Sequence, residues 1–226
     1  MRTAHSVDFF RDIALFQDLQ EDQLQKLAQI SSFEKFSKFQ YIYSNGSKSD
    51  KLYFLKKGVV KIGNTADDGR EVIKAMIHPK SLFGELSLMG QERRNNFARA
   101  MNSEVECVCF YIRDLEQFMI DHPVIQTRIL RFVGQRLMHM ERKVESLVLQ
   151  DARTRIIEFI KDNAIKRGRK VGFETLFKHC LTQQDIANIT GTSRQTVTSV
   201  LNDLKKSNQI YFNRRSILVR DLEKFG

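Results

Sequence analysis

The sequence predicts an α+β protein with three parts: an N-terminal antiparallel β-roll of jelly-roll type, a long dimerisation helix, and a C-terminal winged helix-turn-helix. Three observations predict it. Short β-branched or aromatic runs crowd between about residues 31 and 112, separated by turn signals. Leu130, Val133, Leu137, Met140, Val144 and Leu147 then recur at spacings of 3, 4, 3, 4 and 3. Finally, two short amphipathic segments between Leu181 and Ile210 are joined through Gly191. The expected boundaries are 1–118 for the roll, 119–150 for the dimerisation helix and 151–226 for the winged domain.

Composition sets the frame. The 226 residues are 42% hydrophobic and 28% charged, which excludes collagen-like, mucin-like or wholly disordered chains. Lys+Arg number 37 against Asp+Glu 27, a net +10. Residues 151–226 hold 15 basic and 8 acidic residues, a net +7, so one third of the chain carries most of the excess. That asymmetry suits a domain with a polyanionic partner, although a solvated lysine-rich surface would share it. The longest apolar run, Cys107 to Ile112, is far too short to span a bilayer, so no membrane partner is expected. The N-terminal MRTAHSVDFFRDIALF mixes acidic with apolar residues and does not read as a signal peptide. Three cysteines without a CxxC point to a reducing, cytoplasmic setting with no disulfide framework and no structural zinc.

Residues 6–30 read as helical from Phe10, Ile13, Leu15, Phe16, Leu24, Leu27 and Ala28. The expected strands are Gln40–Tyr43, Lys51–Leu55, Val59–Ile62, Val72–Ile77 and Val105–Ile112. Their punctuation is Asn45-Gly46, Gly58, Asp68-Gly69 and His78-Pro79. Asp68-Gly69 reads as a two-residue hairpin turn with positive φ at both positions. The long helix covers 123–150, with Pro123 in its first turn. Its seam of Leu130, Val133, Leu137, Met140, Val144 and Leu147 predicts a parallel homodimer. The other reading is a helix packed on its own sheet, a role that Ile129 and Phe132 beside the seam could fill. Asp151 could cap the next helix, from Ala152 to about Ile165, and the basic run Lys166-Arg167-Gly168-Arg169-Lys170 ends it.

The clearest chemistry lies in LTQQDIANITGTSRQTVTSVLNDLKKSNQI. Thr182 caps a first helix with Asp185 at its third position, Gly191 breaks it, and Ser193 caps a second. Val197, Val200, Leu201 and Leu204 face inward at helical spacing. The opposite face carries Gln195, Thr198, Ser199, Asn202 and Lys206, with Arg194 in the first turn. Amides, hydroxyls and an Arg near a helix N-terminus are the groups that hydrogen-bond base edges, which points to double-stranded DNA. An ordinary helical hairpin with a polar outer face is the plain alternative. Strand, basic turn and strand follow, with Arg214 and Arg215 placed for phosphate.

SRQTVTSVLNDLKKSNQI resembles the second helix and wing onset of bacterial Crp/Fnr-family transcription regulators. FGELSLMGQERRNNFARA, Phe83–Ala100, is similar to that family's phosphate-binding cassette. The order of parts fits over nearly the whole chain. The resemblance implies a cyclic-nucleotide-binding-like effector domain and a homodimer on an inverted-repeat DNA site, with RNA polymerase as a further partner. It places effector contacts at Gly84, Glu85, Leu86, Arg94 and Asn95, and on the dimer helix at Met140 and Glu141. A Gly admits close backbone approach, a carboxylate accepts from a ribose hydroxyl, and a guanidinium matches a phosphate. Glu85 and Arg94 pairing with each other is the plain alternative.

Departures from the family pattern change what is expected. The family's Arg-Ser-Ala is Arg94-Asn95-Asn96 here, and its adenine-contacting hydroxyl pair is Met140 and Glu141. The usual Pro-Gly-Asp turn is Pro79-Lys80-Ser81. These leave the cofactor unknown: cyclic AMP loses several donors, and another small effector, or none, fits the residues equally well. Four thiolates are needed for an iron–sulfur cluster, and only Cys107, Cys109 and Cys180 exist, so no such cluster is expected. On the reading helix Arg194 matches the first arginine of relatives that read a TGTGA-type half-site. Gln195 replaces their Glu and Ser199 their second Arg, which predicts a different half-site. No nucleophile–base pair, Walker loop or metal cluster suggests an enzyme. The rival reading is a cyclic-nucleotide sensor acting on a protein partner.

Overall fold

The computed structural model describes residues 2–225. Two helices, α1 (Arg2–Arg11) and α2 (Glu21–Gln29), precede eight strands: β1 (Ser31–Phe36), β2 (Tyr41–Tyr43), β3 (Lys51–Lys57), β4 (Val60–Thr65), β5 (Glu71–Ile77), β6 (Leu82–Phe83), β7 (Phe97–Ala100) and β8 (Val105–Tyr111). Then come α3 (Ile112–Asp121), α4 (Pro123–Leu149) and α5 (Ala152–Arg167). The chain ends with β9 (Arg169–Val171), β10 (Glu174–Lys178), α6 (Gln183–Thr190), α7 (Arg194–Lys206), β11 (Ile210–Phe212) and β12 (Ser216–Val219). One compact unit comprises the residues up to Thr65 together with Lys74–Met138. The other comprises Ala66–Ile73 and the residues from His139 on.

The roll consists of two antiparallel four-stranded sheets, ordered β1-β8-β3-β6 and β2-β7-β4-β5. Strand alternation decides the packing. Tyr53 and Leu55 of β3 and Cys107 and Cys109 of β8 turn toward the second sheet, meeting Tyr43, Val60, Ile62, Ala98 and Ala100. Leu52 and Phe54, with Val108 and Phe110, turn the other way, onto Phe10, Phe16, Leu24, Leu27, Leu115, Phe118, Ile125 and Ile129 of the helices. With both faces buried, β8 reads as an unbroken apolar run from Cys107 on. Burial pushes the Cys107 thiol up to about 12, and Cys109 is raised as well, so both are inert packing groups.

Three expectations need correction. The helix expected over 6–30 is broken, because Ile13, Phe16 and Leu19 each donate to the carbonyl three residues earlier. That three-residue repeat brings Phe10, Ile13 and Phe16 to one buried side, so tight turns replace the α-helix there. The Asp68-Gly69 turn has positive φ only at Gly69. Ala66 N–H bonds Arg70 O and Gly69 N–H bonds Ala66 O, giving a three-residue loop closed by a left-handed Gly. Gly168 stops α5 within the basic run, as expected, in extended conformation; a Cβ there would lie 2.3 Å from Ala164 O and 2.4 Å from the Thr175 side chain. β1, β6, β7, β9 and β10 lie outside the expected strands. β1 is mostly polar and is a strand because its backbone pairs with β8 over Ser31–Phe36.

In the winged unit, β11-β12-β10-β9 form one antiparallel sheet. Asp151 Oδ1 accepts from Thr154 N–H at 2.7 Å and starts α5, and that bond holds its carboxyl below the usual range. Ile156, Ile160 and Ala164 of α5 are buried, as are Ile186 and Ala187 of α6 and Val197, Val200, Leu201 and Leu204 of α7. Each large apolar side chain so buried is worth about 1.5–3 kcal/mol relative to exposure.

Candidate nucleic-acid interface and effector site

The two helices α6 and α7 are set by their ends. Thr182 and Asp185 make both arms of a capping box: Asp185 N–H donates to Thr182 Oγ1 at 3.0 Å and Thr182 N–H to Asp185 Oδ2 at 2.9 Å. Gly191, at φ 64°, turns the chain out of α6. Ser193 Oγ then accepts from Thr196 N–H at 3.0 Å and starts α7. Val197, Val200, Leu201 and Leu204 anchor the inner side of α7, each at most 5% exposed. By rotation alone, Arg194, Gln195, Ser199, Asn202 and Lys206 are left exposed and Thr198 half-exposed. Arg194, Gln195, Thr198, Ser199 and Asn202 line one open concavity.

Thr198 has less freedom than its position suggests. Its hydroxyl lies 2.6 Å from Gln183 Oε1 and 2.9 Å from Arg194 O, and donates to these acceptors. Gln183, absent from the sequence-derived set, is thereby held at the first turn of α6 with its amide nitrogen unengaged by that bond. Its place directly after the Thr182 cap was the available signal. In the wing, Asn213 Oδ1 accepts from Arg215 N–H at 2.8 Å and Ser216 N–H at 3.0 Å. This asparagine turn leaves both Arg214 and Arg215 side chains exposed. Among the described residues, Arg194, Lys206, Arg214 and Arg215 have no ion-pair partner, while Lys205 lies over Tyr211 and Phe212. The exposed polar face is thus bordered by cations free to meet phosphates.

The cassette is built differently. Gly84 adopts φ 79°, and a Cβ there would meet Arg94 Nη1 at 3.0 Å and Tyr53 at 3.3 Å. Arg94 is only 3% exposed. Its Nη1 donates to Gly84 O at 3.1 Å and its Nη2 to Lys51 O, and its guanidinium lies 4.3 Å from the Tyr43 ring centre. Its Nε is buried with no acceptor among the described residues. Glu85, also buried, pairs at 3.2 Å with Arg136 of α4, so the alternative of a Glu85–Arg94 pair is not what the roll contains. Burial pushes the Tyr43 hydroxyl up to about 12 against the opposing charge of Arg94. Burial, with Arg136 adding repulsion, lowers the Lys74 amine. The cassette therefore concentrates positive charge around one engaged carboxylate. Arg136, Tyr43 and Tyr53 escaped the sequence reading because nothing in spacing alone brings a strand ring or a helix cation to this loop. Leu86 is half-buried and Asn95 exposed, its Oδ1 accepting from Asn96 at 3.1 Å.

On α4 the seam is mostly bare: Leu130, Leu137, Val144 and Leu147 are exposed, Val133 and Met140 half-buried, and Glu141 exposed. Ile125 and Ile129 are buried instead, with Phe132 and Val133 packed partly against the same cluster. The helix thus packs Ile125 and Ile129 on its own roll, with Val133 shared, and leaves Leu130, Leu137, Val144 and Leu147 exposed.

A family model for the cyclic nucleotide-binding domain matches residues 33–122, and one for the Crp-like helix-turn-helix domain matches residues 154–225. The chain is 29% identical over 212 residues to the CRP-like cAMP-activated global transcriptional regulator of Mycobacterium tuberculosis, covering 94% of each chain. It is 28% identical to the global nitrogen regulator of Synechocystis, over 83% of this chain and 84% of that one. Among solved structures, a CooA mutant from Carboxydothermus hydrogenoformans superposes with a TM-score of 0.74 at 25% identity, covering 87% of this chain and 86% of the other. The c-di-GMP responsive regulator CLP of Xanthomonas campestris shares the fold, with a TM-score of 0.76 at 20% identity over 88% and 99%.

Proposed function

Because the chain belongs to the Crp/Fnr family of DNA-binding transcription regulators, we propose that it works as a cytoplasmic homodimer that lays two copies of α7 into successive major grooves of an inverted-repeat site. The observation that carries this reading is the division of α7. Its apolar side is consumed by the fold, while its amides, hydroxyls and Arg194 are exposed around one concavity. Two such helices on one face of B-DNA would stand about 34–36 Å apart. The exposed stripe of Leu130, Leu137, Val144 and Leu147 supports pairing of two α4 helices, with half-buried Val133 and Met140 completing the heptad. Arg194 suits guanine and Gln195 adenine, so the half-site differs from TGTGA. Arg214, Arg215 and Lys206 would hold phosphates, with Thr182, Ser193, Thr198, Ser199 and Asn202 as shorter-range contacts.

The effector that gates this dimer would be a small anion received at Arg94. A cation 3% exposed, carrying a buried N–H without acceptor, is costly until an anion completes it. Cyclic nucleotides carry such a phosphate, and relatives are named for responses to two of them. The loss of the family's hydroxyls at Asn95, Met140 and Glu141 favours a different anion. RNA polymerase would be the protein partner. No catalytic role is proposed.

Selection of bound sequences from random double-stranded DNA with the full chain tests the reading. A pseudo-palindromic site enriched with about ten base pairs between half-site centres is expected. Recovery of DNA no different from the starting pool would overturn it.

A further inference from the structure

Arg155 is the fourth residue of α5, it does not line the concavity of α7, and it is not among the DNA contacts that the sequence predicts. Its guanidinium nevertheless binds three backbone carbonyls. Nη1 donates to Gln150 O at 2.5 Å, Nε to Thr190 O at 2.8 Å and Nη2 to Gly191 O at 3.2 Å. Gln150 directly follows α4, Thr190 is the last residue of α6, and Gly191 is the left-handed turn residue. These are carbonyls that a helix leaves without intrahelical donors at its C-terminus, where the dipole also favours a cation. One side chain therefore caps two helix ends at once. Leu147, in the last turn of α4, approaches the same point: a Cβ on Gly191 would lie 2.6 Å from its Cδ2. Asp151 is the acidic group whose charge couples to Arg155.

Only Thr192 separates Gly191 from the Ser193 cap, and Arg194 and Gln195 follow at once. Whatever fixes Gly191 fixes the start of the helix that presents those two side chains. We infer that Arg155 is the positioning residue of DNA recognition: it locks the α6–α7 turn to the end of α4 and so sets the aim of α7 without touching DNA. A lysine cannot replace it, because one ammonium has no planar fork to span carbonyls from two helix ends. The inference rests on α7 being the reading helix.

The test uses full-length protein and the DNA enriched by selection. Arg155→Ala and Arg155→Lys are measured for affinity to that site, affinity to unrelated duplex, and the dependence of each on salt, well below the melting temperature of each variant. Should Arg155→Ala not fold, Arg155→Lys carries the measurement. The expected result is a loss of about ten-fold or more at the enriched site, with affinity for unrelated duplex and the salt slope unchanged. A residue that merely stabilises would lower the melting temperature and leave the specific affinity intact, which overturns the inference. A shallower salt slope also overturns it, by making Arg155 a phosphate contact. Gln195→Ala separates the two layers. If it loses base discrimination and the Arg155 variants do not, the positioning role alone fails. If it changes nothing, the reading-helix assignment fails and takes this inference with it.

Discussion

Arg94 in the roll and Arg194 at the start of α7 are the same side chain in opposite solvation. Arg94 is buried, stacked on Tyr43 and held by two backbone carbonyls of its own chain. Arg194 is exposed and has no ion-pair partner among the described residues. To take up a ligand the first would have to exchange its own carbonyls, whereas the second would exchange only water and counterions. A buried cation suits one small ligand of fixed shape, while an exposed row suits a polymer whose charges repeat. The largest expected effect tests this contrast directly. Arg194→Ala should cost about 1–3 kcal/mol at the enriched site, with specificity relaxed at one base pair and thermal stability unchanged within about 0.5 kcal/mol. Arg94→Met should do the reverse: the ligand-free roll keeps or gains stability, because an apolar side chain replaces a buried charge that has no ion-pair partner among the described residues. Calorimetry and quantitative gel shifts on both variants decide it, and a strongly destabilised Arg94→Met roll would remove the contrast.

Next in size is the backbone beneath Arg94, for which the Gly69 hairpin turn is the open-space comparison. Gly84 and Gly69 both have φ near 80°, so alanine costs each about 1–2 kcal/mol of left-handed strain. Gly69 has open space around it, whereas a Cβ at Gly84 would also press on Arg94 and Tyr53. Gly84→Ala should therefore lower the melting temperature more than Gly69→Ala. Equal losses would mean that Arg94 yields easily and that the cassette is not tightly built.

The same contrast explains which features are legible in the sequence. The α7 face was legible because a helix converts sequence spacing directly into direction: Val197, Val200, Leu201 and Leu204 fix the inside, so Gln195, Ser199 and Asn202 must face out. The caps Asp151, Thr182 and Ser193 were legible because each acts over three residues. The cassette was legible only by resemblance. The Arg94–Tyr43 stacking and the Glu85–Arg136 pair join residues 51 apart in the chain, and no local rule reports such meetings. β1 was missed for a related reason: its polar Ser31, Ser32 and Glu34 become a strand through pairing with β8 rather than through their own propensity. Arg155 was invisible because the backbone carbonyls it binds carry no sequence signature.

A smaller effect sharpens the exposed side. Arg214 sits at the tip of the wing and reaches no base in the proposed arrangement. Arg214→Ala should weaken binding to every duplex alike and reduce the slope of log affinity against log salt by about 0.9, the release of one phosphate's counterion. A change in which sequences are enriched would instead place Arg214 in a groove.

The smallest effect concerns acid. In the roll, burial raises the Tyr43 and Tyr53 hydroxyls and the Cys107 and Cys109 thiols, so these groups stay neutral below pH 8 and add no pH dependence there. The winged unit holds His179, whose Nδ1 accepts from Leu181 N–H at 3.2 Å and whose Nε2 is buried without an acceptor. Burial, reinforced by the nearby Arg167 charge, lowers its affinity for a proton below the ordinary value of 6.5. In the unfolded chain it titrates near 6.5, so as the pH falls below that value the unfolded state takes up the proton first. The stability that neutral His179 contributes is fully present above pH 6.5 and declines toward its lower folded value, at most about 1.4 kcal/mol per pH unit for one proton. Melting curves between pH 7.5 and 5.5 should show wild-type protein losing more stability than His179→Gln. Parallel curves for the two would mean that His179 reaches water freely in the folded state, and that the segment leading into the Thr182 cap is looser than its geometry indicates.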